Sequence, residues 1–269
     1  MVLEHGINLK GMKAKDISKI IKSLASPELA YEGEEIGFIV GDKDKEILVL
    51  GVTERPTIKV LQEAVKNRVD MLIIHEPLYQ SKKSFLVDAN LLKYSPNQKR
   101  EELVKEGLFC VYRLHSEWDD AKDGNNDTLA KLLGLEVTDK LPYGRLGKVK
   151  TTTLKNFVEL VKSRLGCKNV LVVGSKGKNI STVAIVAGSG NSLTEIIELA
   201  KQKGADLLVS GDIQDSRARF ASELDLAVID AGDYFTENPG AKRLAEILQS
   251  KLEGVKVLHL DPGAPWEVL

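Results

Sequence analysis

The stretch "TIKVLQEAVKNRVDMLIIHE", residues 57–76, joins an amphipathic helix to a buried strand and sets the pattern of the whole chain. In its first part, apolar residues recur every three or four positions, which is typical of a helix with one buried face. The four residues 71–74, "MLII", have no polar residue among them, which is typical of a strand covered on both faces. A helix that leads into such a strand favours an α/β fold.

The same alternation continues in both directions along the chain, and we predict an α/β fold with mixed sheets. The region of Pro142 and Gly144 is the best candidate for a join between two halves. The predicted division is 1–11 as an N-terminal extension, 12–140 with the C-terminal strand region as a first α/β half, and 141–269 as a second half. No insertion domain is predicted in mid-chain.

The composition limits the classes of function. The 269 residues carry a formal net charge of −1 at pH 7 and have a sequence pI of about 6.5. Binding to nucleic acid draws on clustered excess Lys and Arg, so this class of partner is not expected. Two cysteines without a CxxC motif, no apolar h-region at the N-terminus and no long apolar stretch predict a soluble cytoplasmic protein with no membrane partner.

Two pairs of segments resemble each other within the chain. The first pair is 57–76 and 192–212; aligning Asp70 with Asp206 places His75 over Gly211. The second pair is "LFCVYRLHSEWD" (108–119) and "LAVIDAGDYFTE" (226–237), in which His115 falls over Asp233 and Asp119 over Glu237. We interpret the two pairs as an internal duplication.

Both members of the second pair place a ligand-type residue after an apolar strand and an acid four positions later. Residues four apart meet on one face if the chain turns helically after the strand. Metal sites need several such donors at neighbouring strand ends. The candidate set is His75, Glu76, His115, Asp119, Asp233 and Glu237.

Each candidate also has a structural interpretation that the sequence leaves open. A histidine at a strand end often serves only as a hydrogen-bonding group. Asp119 fits a cap for the turn-rich stretch "DDAKDGNND". Glu237 stands near a predicted helix start, where an acid offsets the helix dipole. The stretch "VAGSGNSLTE" (186–195) has a turn whose amides suit an anion, or a plain helix start.

Several of these stretches together resemble one known family, the Nif-three-like proteins, also called dinuclear-metal-centre proteins or GTP cyclohydrolase I type 2 homologues. The resemblance extends in order from about residue 12 to the C-terminus. The stretches that carry it are "LAYEGEEIGFIVGD", "LIIHEPL", "LHSEWDDAKDGNNDTLAKLLGL", "YGRLGKV", "VAIVAGSGNS", "GADLLVSGDI" and "LAVIDAGDYFTE".

The resemblance implies two α/β domains related by duplication and a ring-shaped homohexamer built as a trimer of dimers. It also implies two divalent metal ions, of which Mg, Mn, Fe and Zn are the candidates. His115 corresponds to a family histidine beside the site, and we expect it to transfer protons. The implied metal ligands are His75, Glu76, Asp119, Asp233 and Glu237.

The chain departs from the family pattern where carboxylates or other residues replace histidines. The family shows two histidines at His75-Glu76, Gly-His at Gly232-Asp233, and often a histidine near Ser216. Replacing imidazole by carboxylate favours harder ions such as Mg²⁺ or Mn²⁺ over Zn²⁺.

Two hypotheses of function follow from the resemblance. In the first, the protein is a metal-dependent hydrolase in which a dinuclear centre activates water against a small molecule such as a nucleotide. In the second, it is a non-enzymatic ring that binds metal or regulates partners, a hypothesis that the replaced histidines favour.

Overall fold

The computed structural model describes residues 10–79, 91–107 and 109–268. Most of the predicted N-terminal extension, residues 1–9, lies outside the described residues. The fold is a mixed α/β fold, as predicted. The chain forms two compact units: unit 1 runs to Trp118 and adds Ala241–Pro262, and unit 2 comprises Asp119–Gly240 and the chain from Gly263.

Within the described residues, the strands are β1 (Met12–Lys13), β2 (Gly37–Val40), β3 (Glu46–Ile47), β4 (Val49–Thr53), β5 (Met71–Ile74), β6 (Cys110–Arg113), β7 (Glu136–Leu141), β8 (Gly144–Thr153), β9 (Leu171–Val173), β10 (Asn179–Ile185), β11 (Leu207–Ser210), β12 (Ala227–Asp230) and β13 (Lys256–His259). The α-helices are α1 (Ala14–Leu24), α2 (Ile58–Lys66), α3 (Ser95–Gly107), α4 (Ser116–Asp120), α5 (Asn125–Leu132), α6 (Leu154–Leu165), α7 (Thr194–Gln202), α8 (Asp215–Glu223) and α9 (Asp233–Lys251). None of these helices is both long enough and apolar enough to cross a membrane.

The main sheet of unit 1 has the strand order β13-β4-β5-β6-β2. The strands β13, β4, β5 and β6 are parallel, and β2 pairs antiparallel with β6. All four side chains of β5 are buried, as their unbroken apolar run predicts. Thr57 caps α2 by accepting a hydrogen bond from the Val60 N–H, so the helix begins at Ile58, two residues after Pro56.

The sheet of unit 2 has the strand order β7-β8-β10-β11-β12-β9. The strands β10, β11 and β12 are parallel, and β9 pairs antiparallel with β12 at the edge. A second antiparallel pair, β7 with β8, extends the sheet on the other side of β10. The parallel strands leave their carboxyl ends at one edge, where ligand-type side chains of this unit follow β12.

One aspartate in each unit ties its first two parallel strands together in the same way. The Asp70 carboxylate accepts hydrogen bonds from the N–H groups of Leu48 and Val49 at 2.9 and 3.0 Å. The Asp206 carboxylate accepts hydrogen bonds from Ser181 and Thr182, both at 2.9 Å. These are the two aspartates that the sequence echo aligns, and the matching contacts are what an internal duplication would leave.

The predicted division at residues 140 and 141 differs from the structure. That position lies at the end of β7, and β7 pairs with β8 across the tight turn that follows. A boundary there would separate two hydrogen-bonded strands, so the change of unit lies instead at Trp118 and Asp119. The C-terminal strand β13 pairs with β4 of unit 1. The prediction had grouped the C-terminal strand region with the first half.

Candidate functional site

His75 follows β5 directly and is buried, with 4% of its surface exposed. Its Nδ1 lies 3.0 Å from the carbonyl oxygen of Leu114. A carbonyl oxygen can only accept, so Nδ1 carries the proton and Nε2 keeps its lone pair. Metal-binding histidines are commonly oriented by such a hydrogen bond from the other ring nitrogen.

His115 follows β6, the neighbouring strand of the same sheet, and lies beside His75 in unit 1. The ring centroids are 4.6 Å apart and the rings are tilted by 47°. Nitrogen atoms of the two rings that could bind a metal lie within 4.8 Å of each other. Two parallel strands that end side by side therefore present two imidazoles together.

Glu34, which the sequence reasoning did not single out, fixes the other side of His115. Its carboxylate hydrogen-bonds to His115 Nδ1 through one oxygen and accepts from the Ser116 hydroxyl through the other. Arg113 Nη2 lies 3.6 Å from the same carboxylate. Burial works to raise the pKa of Glu34, but His115, Ser116 and Arg113 outweigh it and lower the pKa to about 2.

Glu76 shares an arginine with a second acid that the sequence reasoning missed. Arg55 Nε donates to Glu54 at 3.0 Å, and Arg55 Nη2 lies 3.6 Å from Glu76. Burial works to raise the pKa of Glu76, but the charge of Arg55 and the neighbouring imidazoles keep it below its ordinary value. Glu54 is 1% exposed and is one of the acids that could serve as a metal ligand. It follows β4 as His75 follows β5, and this strand-end position is the feature that could have identified it.

Asp119 lies on the short helix α4 and is the first residue of unit 2. It is 7% exposed, and its Oδ1 accepts a hydrogen bond of 2.7 Å from Asn125 Nδ2. Its backbone carbonyl accepts one of 3.0 Å from Asn126 Nδ2. The stretch "DGNND", predicted to be an ordinary turn, therefore supplies two amides that hold Asp119 in place.

Asp233 and Glu237 occupy the first turns of α9, which begins at Asp233 and not near residue 238 as predicted. The four-residue spacing puts both carboxylates on one face of the helix. Carboxylate oxygens of the two residues lie within 4.8 Å of each other. Glu237 is 4% exposed, so its charge is held away from bulk water.

The glycine-rich turn after β10 packs against the Glu237 carboxylate. Gly188 has φ of +78°, and a Cβ added to it would lie 2.2 Å from Glu237 Oε1. The Gly188 N–H donates to the Thr236 hydroxyl at 3.0 Å, and its carbonyl accepts from the Ser210 hydroxyl at 2.9 Å. This amide, which the sequence suggested for an anion, is thus used to hold α9.

Histidine and carboxylate groups that could hold a metal ion are therefore present in the fold. In unit 1 the structure brings His75 and His115 together and sets Glu76 against Arg55. In unit 2 it brings Asp233 and Glu237 together and fixes Asp119 through the asparagine amides. The paired carboxylates of Asp233 and Glu237 repel each other unless a cation offsets them, which suits the binding of a divalent ion.

Comparison with known proteins finds relatives that match this chain over most of its length. The family model Duf34/NIF3 (NGG1p interacting factor 3) matches residues 12–262. A "GTP cyclohydrolase 1 type 2 homolog" of Methanocaldococcus jannaschii is 35% identical over 254 residues, covering 93% of this chain and 100% of that protein. One of Clostridium perfringens is 31% identical over 252 residues, covering 90% of this chain and 93% of the relative.

Solved structures share the fold. Reduced HcgD from Methanocaldococcus jannaschii superposes with a TM-score of 0.79 at 32% identity, over 94% of this chain and 99% of that one. A Bacillus cereus protein related to NIF3 superposes with a TM-score of 0.82 at 21% identity, over 97% of this chain and all of the other. The second likeness, at this identity, concerns the fold alone.

Proposed function

Because the chain belongs to the Duf34/NIF3 family, we propose that it is a metal-dependent hydrolase that acts on a small molecule of the nucleotide type. The observation that carries the proposal is the orientation of His75. Its Nδ1 donates to the Leu114 carbonyl at 3.0 Å, which leaves Nε2 as a metal-binding atom in a buried position.

The donor set fits hard divalent ions. One imidazole and four carboxylates favour oxygen-preferring ions such as Mg²⁺ or Mn²⁺. When bound, such ions supply Lewis acidity and make water a better nucleophile near neutral pH. The proposed ligands are His75, Glu76, Asp119, Asp233 and Glu237.

His115 is the residue that we propose for proton transfer. Its Nδ1 is engaged by Glu34, so its Nε2 is the nitrogen that can take up or release a proton. The ionised Glu34 holds the His115 ring through Nδ1 and so fixes the direction of Nε2. Glu34 is thereby a positioning residue, since it acts through His115.

The metal content of the purified protein tests the proposed ligands. Elemental analysis should find roughly two equivalents of divalent metal per chain in the wild type and far less in the double variant Asp119→Ala/Glu237→Ala. A matched control is Asp215→Ala/Glu223→Ala, which removes two acids from α8, both exposed, and should retain the metal. Equal metal content in the two double variants would overturn the ligand assignment.

Turnover tests the enzymatic part of the proposal. A panel of nucleotides and phosphoesters, supplied with Mg²⁺ or Mn²⁺, should include a substrate whose hydrolysis is lost on Asp119→Asn or Glu237→Gln without loss of the fold. The absence of hydrolysis across the panel would contradict the proposal.

The second candidate function is a non-enzymatic ring that binds metal or regulates partners. The observation that favours it is the replacement of family histidines, as at Glu76 and Asp233. A scaffold of this kind should retain its assembly in Asp119→Asn and should show no turnover in wild type or variant. The panel of substrates thus separates the two candidates.

A further inference from the structure

Arg55 of unit 1 lies next to the acids that follow β4 and β5, and Arg100 contacts the backbone immediately after Arg55. Arg55 is the second residue after β4, and Arg100 lies on α3. Arg100 Nε donates to the carbonyl oxygen of Pro56 at 3.2 Å, which places its guanidinium beside the backbone that carries Arg55. Burial lowers the pKa of Arg100, and the positive charge of Arg55 lowers it further.

The two guanidinium groups differ in how their charge is offset. Arg55 has two carboxylate neighbours, Glu54 at 3.0 Å and Glu76 at 3.6 Å. Arg100 donates only to neutral acceptors, the Pro56 carbonyl and Asn97 Oδ1 at 3.0 Å. Within residues 10–79, 91–107 and 109–268, no carboxylate pairs with Arg100 and its Nη2 has no hydrogen-bond partner.

A half-buried guanidinium next to a second one is unfavourable without a counter-charge. Arginine does not lose its proton in proteins, so the charge has to be offset by an anion or by water. Binding of Glu76 to a metal ion would withdraw part of the negative charge that now faces Arg55. The pair would then be still more cationic when the proposed metal centre is occupied.

We propose that Arg100, together with Arg55, forms an anion subsite that binds a phosphate group of the substrate. The inference deepens the proposed function and rests on it, because it takes the bound phosphate to be part of the substrate. Phosphate suits the pair because a dianion can accept from two guanidinium groups at once, and Arg100 Nη2 is a donor still available for it. The substrate class is therefore a phosphorylated small molecule whose phosphate lies near the carboxyl ends of β4 and β5.

The test is calorimetric titration of the protein with inorganic phosphate, both as purified and after treatment with a chelator. We expect Arg100→Gln to weaken phosphate binding by about tenfold, the loss of one charged hydrogen-bonding contact. Arg100→Lys keeps the positive charge but lacks the planar set of N–H donors of a guanidinium. Its affinity for phosphate should therefore lie between those of the wild type and Arg100→Gln. The matched control is Arg219→Gln on α8, whose exposed guanidinium pairs with Asp215 and which should bind phosphate like the wild type. Thermal unfolding of each variant checks that it is folded.

A second arm distinguishes free phosphate from the phosphate of a larger molecule. Ribose 5-phosphate should bind in competition with inorganic phosphate and with the same dependence on Arg100, whereas ribose should not bind. Dependence on Arg100 for inorganic phosphate but not for the ester would overturn the assignment to substrate.

Failure of the subsite and failure of the metal proposal give different results. Phosphate binding that disappears with chelator but is unchanged in Arg100→Gln would place the anion on the metal ions, and would overturn the subsite while leaving the proposed function. Phosphate binding that depends on Arg100 both before and after chelation would support the subsite, and a wild type that binds phosphate in this way but takes up no divalent metal would contradict the metal-dependent hydrolase alone. No saturable binding of phosphate by the wild type at millimolar concentration would overturn the subsite.

Discussion

At the scale of single residues, Gly188 determines whether Glu237 can keep its position. Gly188→Ala is expected to destabilise the protein by about 2–4 kcal/mol, because a left-handed alanine costs about 1 kcal/mol and the added methyl must displace a buried carboxylate. Urea denaturation measures the change, and metal content should fall with it.

Gly166 provides the control for this prediction. It has a similar positive φ, +72°, but no atom lies within 4 Å of a Cβ added there. Gly166→Ala should therefore show only the backbone cost of about 1 kcal/mol and should retain the metal. Equal destabilisation by the two substitutions would mean that the contact with Glu237 does not contribute to the loss of stability in Gly188→Ala.

The residues that the sequence reasoning missed are those whose role depends on distant contacts. Glu34 stands in the polar stretch "YEGEE", 81 positions from His115, and nothing local distinguishes it from its neighbours. Glu54 could have been found, since it occupies the same strand-end position as His75. Strand ends are visible in the sequence, whereas hydrogen-bond partners across the fold are not.

At the scale of secondary-structure elements, Asp206 joins β10 to β11 and its effect should depend on pH. Burial works to raise its pKa, but the N–H groups of Ser181 and Thr182 outweigh it, so the folded-state pKa lies below the ordinary value. A lowered pKa gives stability that is present above the unfolded-state pKa and is lost as the pH falls through the folded-state pKa.

Asp206→Ala should therefore cost about 1–3 kcal/mol at pH 7, since it leaves two strand N–H groups without their acceptor. The difference from wild type should shrink as the pH falls below about 4. Urea denaturation at a series of pH values measures it, and Asp215→Ala, in an exposed ion pair on α8, should change stability little at any pH. A difference from wild type that is constant down to pH 3 would contradict the role of the carboxylate charge.

The elements that were predicted and those that were not differ in where their stability comes from. The buried strand β5 and the helix α2 follow from apolar periodicity alone. The residues of β7 before Leu141 are all exposed, so no apolar pattern marks that strand, and its pairing with β8 was missed. The first turns of α9 include Pro239 and follow Gly232, which read as a loop. Thr236 holds this part of α9 by accepting from Gly188 and donating to Asp233 O, contacts that depend on the tertiary fold.

At the scale of the whole molecule, each unit has a parallel three-strand segment with an antiparallel strand beside its last strand. In unit 1 this is β4-β5-β6 with β2, and in unit 2 it is β10-β11-β12 with β9. The chain reaches that antiparallel strand before the first parallel strand in both units. The sequence echo covered only the helix and strand segments with apolar patterns. The shared order of strands and the matching aspartates extend the likeness to parts where the sequences have diverged, which supports the predicted duplication.

Assembly is a property of the whole molecule that the family resemblance predicts. We expect a homohexamer, with a mass by light scattering of about six times the 29.5 kDa of one chain. A formal net charge of −1 at pH 7 gives little electrostatic repulsion between copies, so the mass should be nearly the same in low and high salt. Exposed apolar side chains such as Leu171 and Val172 on the edge strand β9 are available for contacts that salt does not screen. A mass of one chain at micromolar concentration would contradict the expectation, and a mass that falls in high salt would show that charge pairs, rather than apolar contacts, hold the copies together.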